Sequence, residues 1–493
     1  MNITDYLLKQ CKDEATALIT PKGEYTYQDL KQATVKMMEA FQSAGVTFGD
    51  RVGILSANSL FWVSGYLAGM KIGAIAVPLA TKLPPPELSL RIEQTGCKVL
   101  CIEKRLYKQY AGAFSTSLHV INEDVLLFES PSTQMPDSPI SFDEHQDAAW
   151  MLTSGTTAKP RIVRITHANI RSNTHSIINS LGLTSIDRVM AILPFYYCFG
   201  TSLLHTHLRA GGSLVLGDTL GFPEKVLDLM EAKSCTGFAG VPTTFQMYLR
   251  NSTFPQRELP SLRHIQQAGG KLSTVLIEEL IQSRPKARIY IMYGQTEATA
   301  RLSCLQPEDL ASKPGSIGKG IPGVSLKVFN EVGSEVTPGE VGEIVAWGEN
   351  ISPGYVGEAE ISAEKFIQGS LRTGDMATVD EDGYIYIVDR KSDFIKSYGN
   401  RVSSQEVEAC ILVIKEVMAA AVIGIPDPLR GEAIRAFVVV RTNSELDASM
   451  VMDHCAKHLA RYMVPKDVLF MRSLPVNEHG KVVKSELRKL TTT

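Results

Sequence analysis

The chain has no C-x-x-C pair, and none of its eight cysteines stands at a metal-ligand spacing from a histidine. That removes zinc ribbons and thioredoxin-like redox motifs from consideration. Cys97 and Cys101 flank an apolar strand candidate, where core thiols are expected, and such usage suits a reducing cytoplasm. Charge of one sign is lacking too. The 50 basic and 53 acidic residues leave a formal net charge of -3, so nothing electrostatic favours nucleic acid or an anionic membrane. A local basic loop suffices for an anionic small molecule. Long hydrophobic runs are missing: the nearest, 60–80, is broken by Lys71, several glycines and Pro78. It predicts a buried helix and a strand, with no membrane span. The start, Met1-Asn2-Ile3-Thr4-Asp5-Tyr6, lacks a basic segment followed by an apolar one, so no secretory signal is expected. Internal repeats, low-complexity tracts and the P-loop pattern G-x-x-x-x-G-K-[ST] are absent as well.

What is present is a globular composition, 44% hydrophobic and 21% charged, over 493 residues. That length predicts two or more domains. Helical and strand patterns alternate at the start: helix 27–44 stopped by Gly45, strand 51–55, helix 61–71, strand 74–78, helix 87–95 after three prolines, strand 98–103. This interval implies parallel sheets covered by helices. After an apolar run at 148–152 the pattern resumes with helix 168–181 and strands at 188–193, 236–242 and 288–293. From about Gly315, glycine, proline and β-branched residues alternate through Val345, Tyr355 and 385–388, as in a small antiparallel or barrel-like subdomain. The polar run Asp389-Arg390-Lys391-Ser392-Asp393 reads as a linker to a last unit of about a hundred residues, a usual size for a small domain. That unit carries helices at 404–413 and 448–459 and strands at 418–423 and 433–440.

The apolar run ends in Thr153-Ser154-Gly155-Thr156-Thr157-Ala158-Lys159-Pro160-Arg161. Backbone N–H groups, hydroxyls and cations brought to one small volume suit a polyphosphate, although a Ser/Thr/Gly cluster alone is more often a plain turn. Further segments follow in order: Ala268-Gly269-Gly270, Tyr293-Gly294-Gln295-Thr296-Glu297 and Arg372-Thr373-Gly374-Asp375. Then come Asp389-Arg390 with the stretch 395–402, and finally Gly480-Lys481 after Leu474-Pro475.

Together, over nearly the whole chain, these segments resemble the adenylate-forming superfamily of acyl- and aryl-CoA synthetases, carrier-protein adenylation domains and firefly luciferase. The resemblance implies an α/β fold with a large N-terminal domain (1–389) of parallel-rich sheets covered by helices and a barrel-like part at about 315–388. A hinge at 390–392 and a small, mobile α+β C-terminal domain (393–493) complete it. It further implies a reaction in which a carboxylic acid attacks ATP to give an acyl-adenylate and pyrophosphate, after which a thiol displaces AMP.

Residue by residue, the resemblance implies that Thr153, Ser154, Gly155, Thr156, Thr157 and Lys159 hold the β- and γ-phosphates. Thr296 bonds the α-phosphate, and Glu297 holds Mg²⁺, a hard cation suited to carboxylate oxygen. Asp375 accepts from the ribose hydroxyls, and Arg390 reaches ribose and phosphate. Gly269 and Gly270 let adenine approach, with Tyr293, Gly294, Gln295 and Ile387 completing the nucleotide site. Lys481 serves the first half-reaction. For the second, the C-terminal domain rotates about Ser392, bringing 396–401 to the site with Lys396 catalytic and Gly399 and Arg401 beside the pantetheine arm. Two departures stand out. The usual loop is T-S-G-T-T-G-K-P-K-G, whereas Ala158, Arg161 and Ile162 stand here, and the hinge carries Ser where Asp or Lys is common. If the family glycine uses positive φ, alanine costs about 1 kcal/mol, and Arg161 lacks lysine's compact geometry.

The aromatic stretch 194–200 lies at a strand end, where ligands of α/β sheets sit; for any single ring, core packing is the commoner fate. By resemblance the acid pocket is lined by Phe195, Tyr197, Phe238, Gly240 and Tyr293. No Asp occurs in 195–198, which argues against an α-amino acid and for an aryl, medium-chain or other largely apolar one. Arg301 reads as a surface residue that has the chemistry to pair with a second carboxylate. CoA is the expected acceptor, with a pantetheinylated acyl or peptidyl carrier protein as the alternative; a non-catalytic homologue is the binding-class alternative. The remaining expectations are a cytoplasmic monomer or homodimer with ATP, Mg²⁺ and CoA as its small-molecule partners.

Overall fold

The computed structural model describes residues 1–110, 112–114, 118–127, 135–136, 142–153, 160–217, 222–391, 393–477 and 481–490. The expectations for Ser154, Gly155, Thr156, Thr157, Ala158, Lys159, Ser392 and Gly480 fall outside them.

Apolar β-branched runs form two large sheets. Six strands, in the order His119–Ile121, Cys97–Ile102, Arg51–Leu55, Ile75–Pro78, Asp147–Leu152 and Ile162–Thr166, are parallel except for the last pair. A nine-stranded sheet has a parallel centre, Ser213–Leu216, Arg188–Ala191, Gly237–Gly240, His264–Gln267 and Arg288–Tyr293, with antiparallel edges. Most of these strands are buried along their length, as expected where helices cover both faces. Helix Leu60–Lys71 is buried almost all round, so the most membrane-like stretch is core. Among the described residues no helix is long and apolar enough to cross a membrane.

Local signals set several boundaries. Helix Tyr27–Ser43 starts on a capping box, Thr26 with Asp29. Pro242 opens helix Pro242–Arg250 at its first turn, so the strand expected over 236–242 ends at Gly240. The subdomain past Gly315 takes the antiparallel form: Ser370–Val379 pairs with Gly342–Trp347, Phe366–Ile367 and Ile385–Arg390.

From Ile395 onward the buried clusters contain only C-terminal residues. Their sheet is built on the long antiparallel pair Val417–Asp427 and Gly431–Val440, covered by helices Ser404–Leu412 and Ala448–His458. Packing of those helices brings the ligand atoms of Cys410, His454 and His458 within 4.8 Å of one another. No spacing in the sequence shows this, because Cys410 comes from another helix. Asp389, fully buried, accepts from Ser404 N at 2.7 Å and Ser404 Oγ at 2.8 Å, which anchors the entry to the C-terminal unit.

Candidate active site

The loop 153–161 joins two antiparallel strands, and its base is tied twice: Thr153 N donates to Arg161 O at 2.8 Å, and Arg161 N donates to Thr153 Oγ1 at 3.0 Å. The Arg161 guanidinium is held by Glu358 and Tyr355. Its Nε meets Glu358 Oε2 at 3.0 Å, and its carbon lies 5.3 Å from the Tyr355 ring. Ile162 starts the return strand and is buried. These two departures from the common loop are therefore structural anchors of its C-terminal leg.

Tyr355 continues inward. Its hydroxyl donates to Glu297 Oε1 at 2.7 Å, and Lys365 Nζ lies 3.4 Å from the same oxygen. Burial pushes the Glu297 carboxyl up, but Lys365 and Tyr355 outweigh it and hold it below its ordinary range. Glu297 is thus a buried carboxylate kept ionised. It stands on the 3-10 turn Thr296–Ala298, directly after strand Arg288–Tyr293. Gly294 permits that turn: a Cβ there would lie 1.7 Å from the Ala300 carbonyl oxygen. Thr296 Oγ1 donates to Cys198 Sγ at 3.5 Å.

A second carboxylate faces the same volume. Asp375 is buried, accepts from Tyr293 OH at 2.7 Å, and has Arg390 Nε at 3.3 Å from its other oxygen. Register makes this pair, since Asp375 and Arg390 are cross-strand partners. Burial and the neighbouring carboxylate push the Tyr293 phenol well up, so it remains a donor.

Lys481 enters from the C-terminal domain on a small hairpin, where Val476 bridges Val482 and Lys481 N donates to Asn477 Oδ1 at 2.9 Å. Its Nζ lies 5.8 Å from the Tyr197 ring centre, and its Cε is 3.7 Å from where a Cβ on Gly269 would stand. Burial, and then Arg390, pull the ammonium below its ordinary value, against opposing pulls from Cys198, Asp375 and Glu297. Gly269 sits at φ +87, and an added Cβ would be 2.9 Å from Tyr197 OH. Arg390, Asp375 and Glu297, from distant segments, therefore all act on Lys481.

Other expected residues lie elsewhere. Phe195 is fully buried against Trp62, and Phe238 packs with Phe245, Tyr248 and Phe254; both are occupied by core packing. Gly240 is tightly covered by Thr244. Gln295 and Ile387 flank the site, Gln295 Nε2 on Thr373 O at 3.4 Å and Ile387 O on Lys271 Nζ at 2.9 Å; a Cβ on Gly270 would touch Pro242 at 3.2 Å. Lys396 and Gly399 are exposed, and Arg401 pairs at the surface with Glu331 at 3.2 Å. This conformation accordingly brings Lys481, and not 396–401, to the centre. It is held by Arg250, which is paired with Glu279 at 2.8 Å and donates to Val417 O, and by Gln246, which donates to Met418 O.

Tyr355 and Lys365 were not among the residues expected at the site, and Arg301, expected at the surface, is buried. Tyr355 and Lys365 lie in a Gly/Pro-rich stretch with no motif, and only the tertiary fold sets them against Glu297.

Residues 8–356 match the model of the AMP-binding enzyme family, and 406–481 match its C-terminal domain. A feruloyl-CoA synthase from Amycolatopsis is 32% identical over 96% of this chain and 96% of its own length. The anthranilate CoA ligase AuaEII, solved with anthranoyl-AMP, superposes with a TM-score of 0.91 at 28% identity, covering 99% of this chain and 97% of that one. O-succinylbenzoate coenzyme A synthetase from Bacillus subtilis, solved with ATP and magnesium ion, gives 0.87 at 29% identity, with 99% of each chain covered. These matches lead to a single assignment: the chain belongs to the AMP-binding enzymes, and within them to the AMP-forming acyl- and aryl-CoA ligases.

Proposed function

We propose that this ligase activates a carboxylic acid with an apolar or aromatic body and passes the acyl group to CoA. The observation that carries this is that Arg390, Asp375 and Glu297 all act on Lys481, which stands beside the Tyr197 ring. In the first half-reaction the acid's carboxylate oxygen attacks the α-phosphorus of ATP, the bond to the bridging oxygen breaks, and pyrophosphate leaves. Two anions are being joined, so charge on the phosphate oxygens must be offset in a water-poor site. Lys481 suits this role, since it is half-buried and its ammonium reaches the Tyr197 ring. Glu297 fits a magnesium ion: it is a buried, ionised carboxylate with Lys365 engaging only one of its oxygens. A magnesium ion there would neutralise phosphate charge.

Asp375, oriented by Tyr293 and Arg390, is placed to accept from the ribose hydroxyls. Gly269 and Gly270 leave room for the base, and the loop 153–159 takes the terminal phosphates. In the second half-reaction the thiolate attacks the acyl carbon and the bond to AMP breaks. For this we infer that the domain beyond 390–392 rotates about Ser392 and replaces Lys481 with 396–401, Lys396, Gly399 and Arg401 lining the thiol path. CoA is preferred to a carrier protein as acceptor, in keeping with the CoA ligases this chain resembles. The eight free thiols suit a cytoplasmic enzyme, a monomer or homodimer. The test offers CoA and a pantetheinylated carrier protein together with ATP and a panel of acids, and identifies the thioester by mass spectrometry. Acyl-CoA is the expected product. Exclusive loading of the carrier would reverse the choice of acceptor.

A further inference from the structure

Arg301 is 2% exposed, and its backbone is fixed on both sides. Its N–H donates to Asn173 Oδ1 at 3.2 Å, and its carbonyl accepts from Asn173 Nδ2 at 2.8 Å and Asn350 Nδ2 at 3.1 Å. The side chain is different. Among the described residues Nε has no hydrogen-bond partner, and the polar groups acting on the guanidinium are the Cys304 and Cys198 thiols and the Tyr197 phenol, none of them anionic at neutral pH. Its one close neighbour of note is the Phe199 ring, 4.8 Å away. Burial without an anion lowers the guanidinium to about 10.

Arg91 and Arg250, whose side chains are also buried, each have an acidic partner, Glu87 at 3.0 Å and Glu279 at 2.8 Å. A buried charge without a counter-charge is costly, and proteins keep one where something else supplies the partner. The location says what that is. Tyr197 and Cys198, two of the groups that act on the guanidinium, also meet Lys481 and Thr296, so Arg301 stands one residue layer behind the site.

We propose that Arg301 receives a second carboxylate on the substrate, so that the enzyme's acid is a dicarboxylate whose two groups are separated by an apolar or aromatic spacer. One carboxylate is activated beside Lys481 and the other pairs with Arg301. This rests on the CoA-ligase reading above and narrows its substrate class. A site built around a buried cation rejects an analogue without the anion, because the cation is then left unpaired.

The test uses matched pairs of increasing spacer length, each a dicarboxylic acid and its monomethyl ester, which keeps one carboxylate to activate. ATP–pyrophosphate exchange and acyl-CoA formation are read for each. For the best spacer, kcat/KM should be at least 100-fold higher for the diacid than for the ester. Arg301→Met should lose about 100-fold or more on the diacid while keeping or gaining activity on the ester, and Arg301→Lys should restore part of the loss. Removal of an unpaired buried charge should leave the ligand-free unfolding midpoint of Arg301→Met at or above that of the wild type. Only the wild type should be stabilised by the diacid. Should Arg301→Met not fold, the wild-type preference between diacid and ester decides alone. Esters and plain apolar acids turned over as well as any diacid, with that order unchanged in Arg301→Met, overturn the proposal and leave the CoA-ligase reading intact. No exchange and no thioester with any acid would instead defeat that underlying reading.

Discussion

Tyr355→Phe isolates the support of Glu297. The ring is kept, so its contact with Phe366 and the stacking of Arg161 survive; what goes is the hydroxyl donating to Glu297 Oε1 at 2.7 Å. A hydrogen bond to a charged group contributes about 1.5–3 kcal/mol, and the lower end applies because Lys365 remains beside the same oxygen. At about 1.4 kcal/mol per factor of ten, the ionised form loses roughly tenfold in favour. The sign follows from the direction of the shift. Glu297 is held below its ordinary value, so it stays ionised as pH falls until its own lowered titration is reached. Without the hydroxyl it protonates earlier on the way down. Pyrophosphate exchange, measured from neutral pH into the acid range at saturating Mg²⁺, should show the acid limb of the variant moved to higher pH. On that limb activity should fall roughly tenfold below wild type, and near neutrality the two should agree within about twofold. Superimposable profiles would mean that the Glu297 carboxylate is not a working group or that Tyr355 does not govern it.

Other perturbations bear on different links. Lys481→Ala should lower acyl-adenylate formation by about 10²–10³, the cost of removing one donor to developing charge, while thioester formation from a supplied acyl-adenylate is largely spared; equal loss of both would defeat the two-conformation assignment. Because burial lowers the Lys481 ammonium, adenylation should decline on the alkaline side before an ordinary lysine would titrate, and this decline should vanish in Lys481→Ala. Arg250→Ala removes its hydrogen bonds to C-terminal carbonyls, each of about 1 kcal/mol. The adenylating orientation should lose roughly tenfold in population, read as slower pyrophosphate exchange and a changed small-angle scattering profile with unaltered thiol transfer. Gly294→Ala should abolish exchange and lower the unfolding midpoint, since the backbone at Ala300 must move to admit a methyl group.

The alternation of helix and strand patterns, the capping residues and the order of the glycine-bearing segments were legible in the sequence, because each is a local property. Periodicity shows which face an element buries, and Thr26 or Pro242 starts a helix wherever it lies in the fold. Lys481, Thr296, Glu297, Asp375 and Arg390 could be singled out because they stand in short motifs whose residue types match phosphate and ribose chemistry. Which aromatic ring faces the site could not be read, since Phe195, Tyr197 and Phe238 have the same local context and differ only in what packs over them. The Tyr355 hydroxyl on Glu297, the turning of Arg161 toward Glu358, and the meeting of Cys410 with His454 and His458 join segments far apart in the chain. The sequence alone determined the reaction, because adenylation needs a few residue types in a fixed order. Tertiary structure decided which oxygen holds which proton and where a cation is left without an anion, because burial and counter-charge are properties of the folded interior. Arg301, one more polar residue in the sequence, becomes in the fold a buried charge with no counter-charge among the described residues, set beside Tyr197, Cys198 and Phe199.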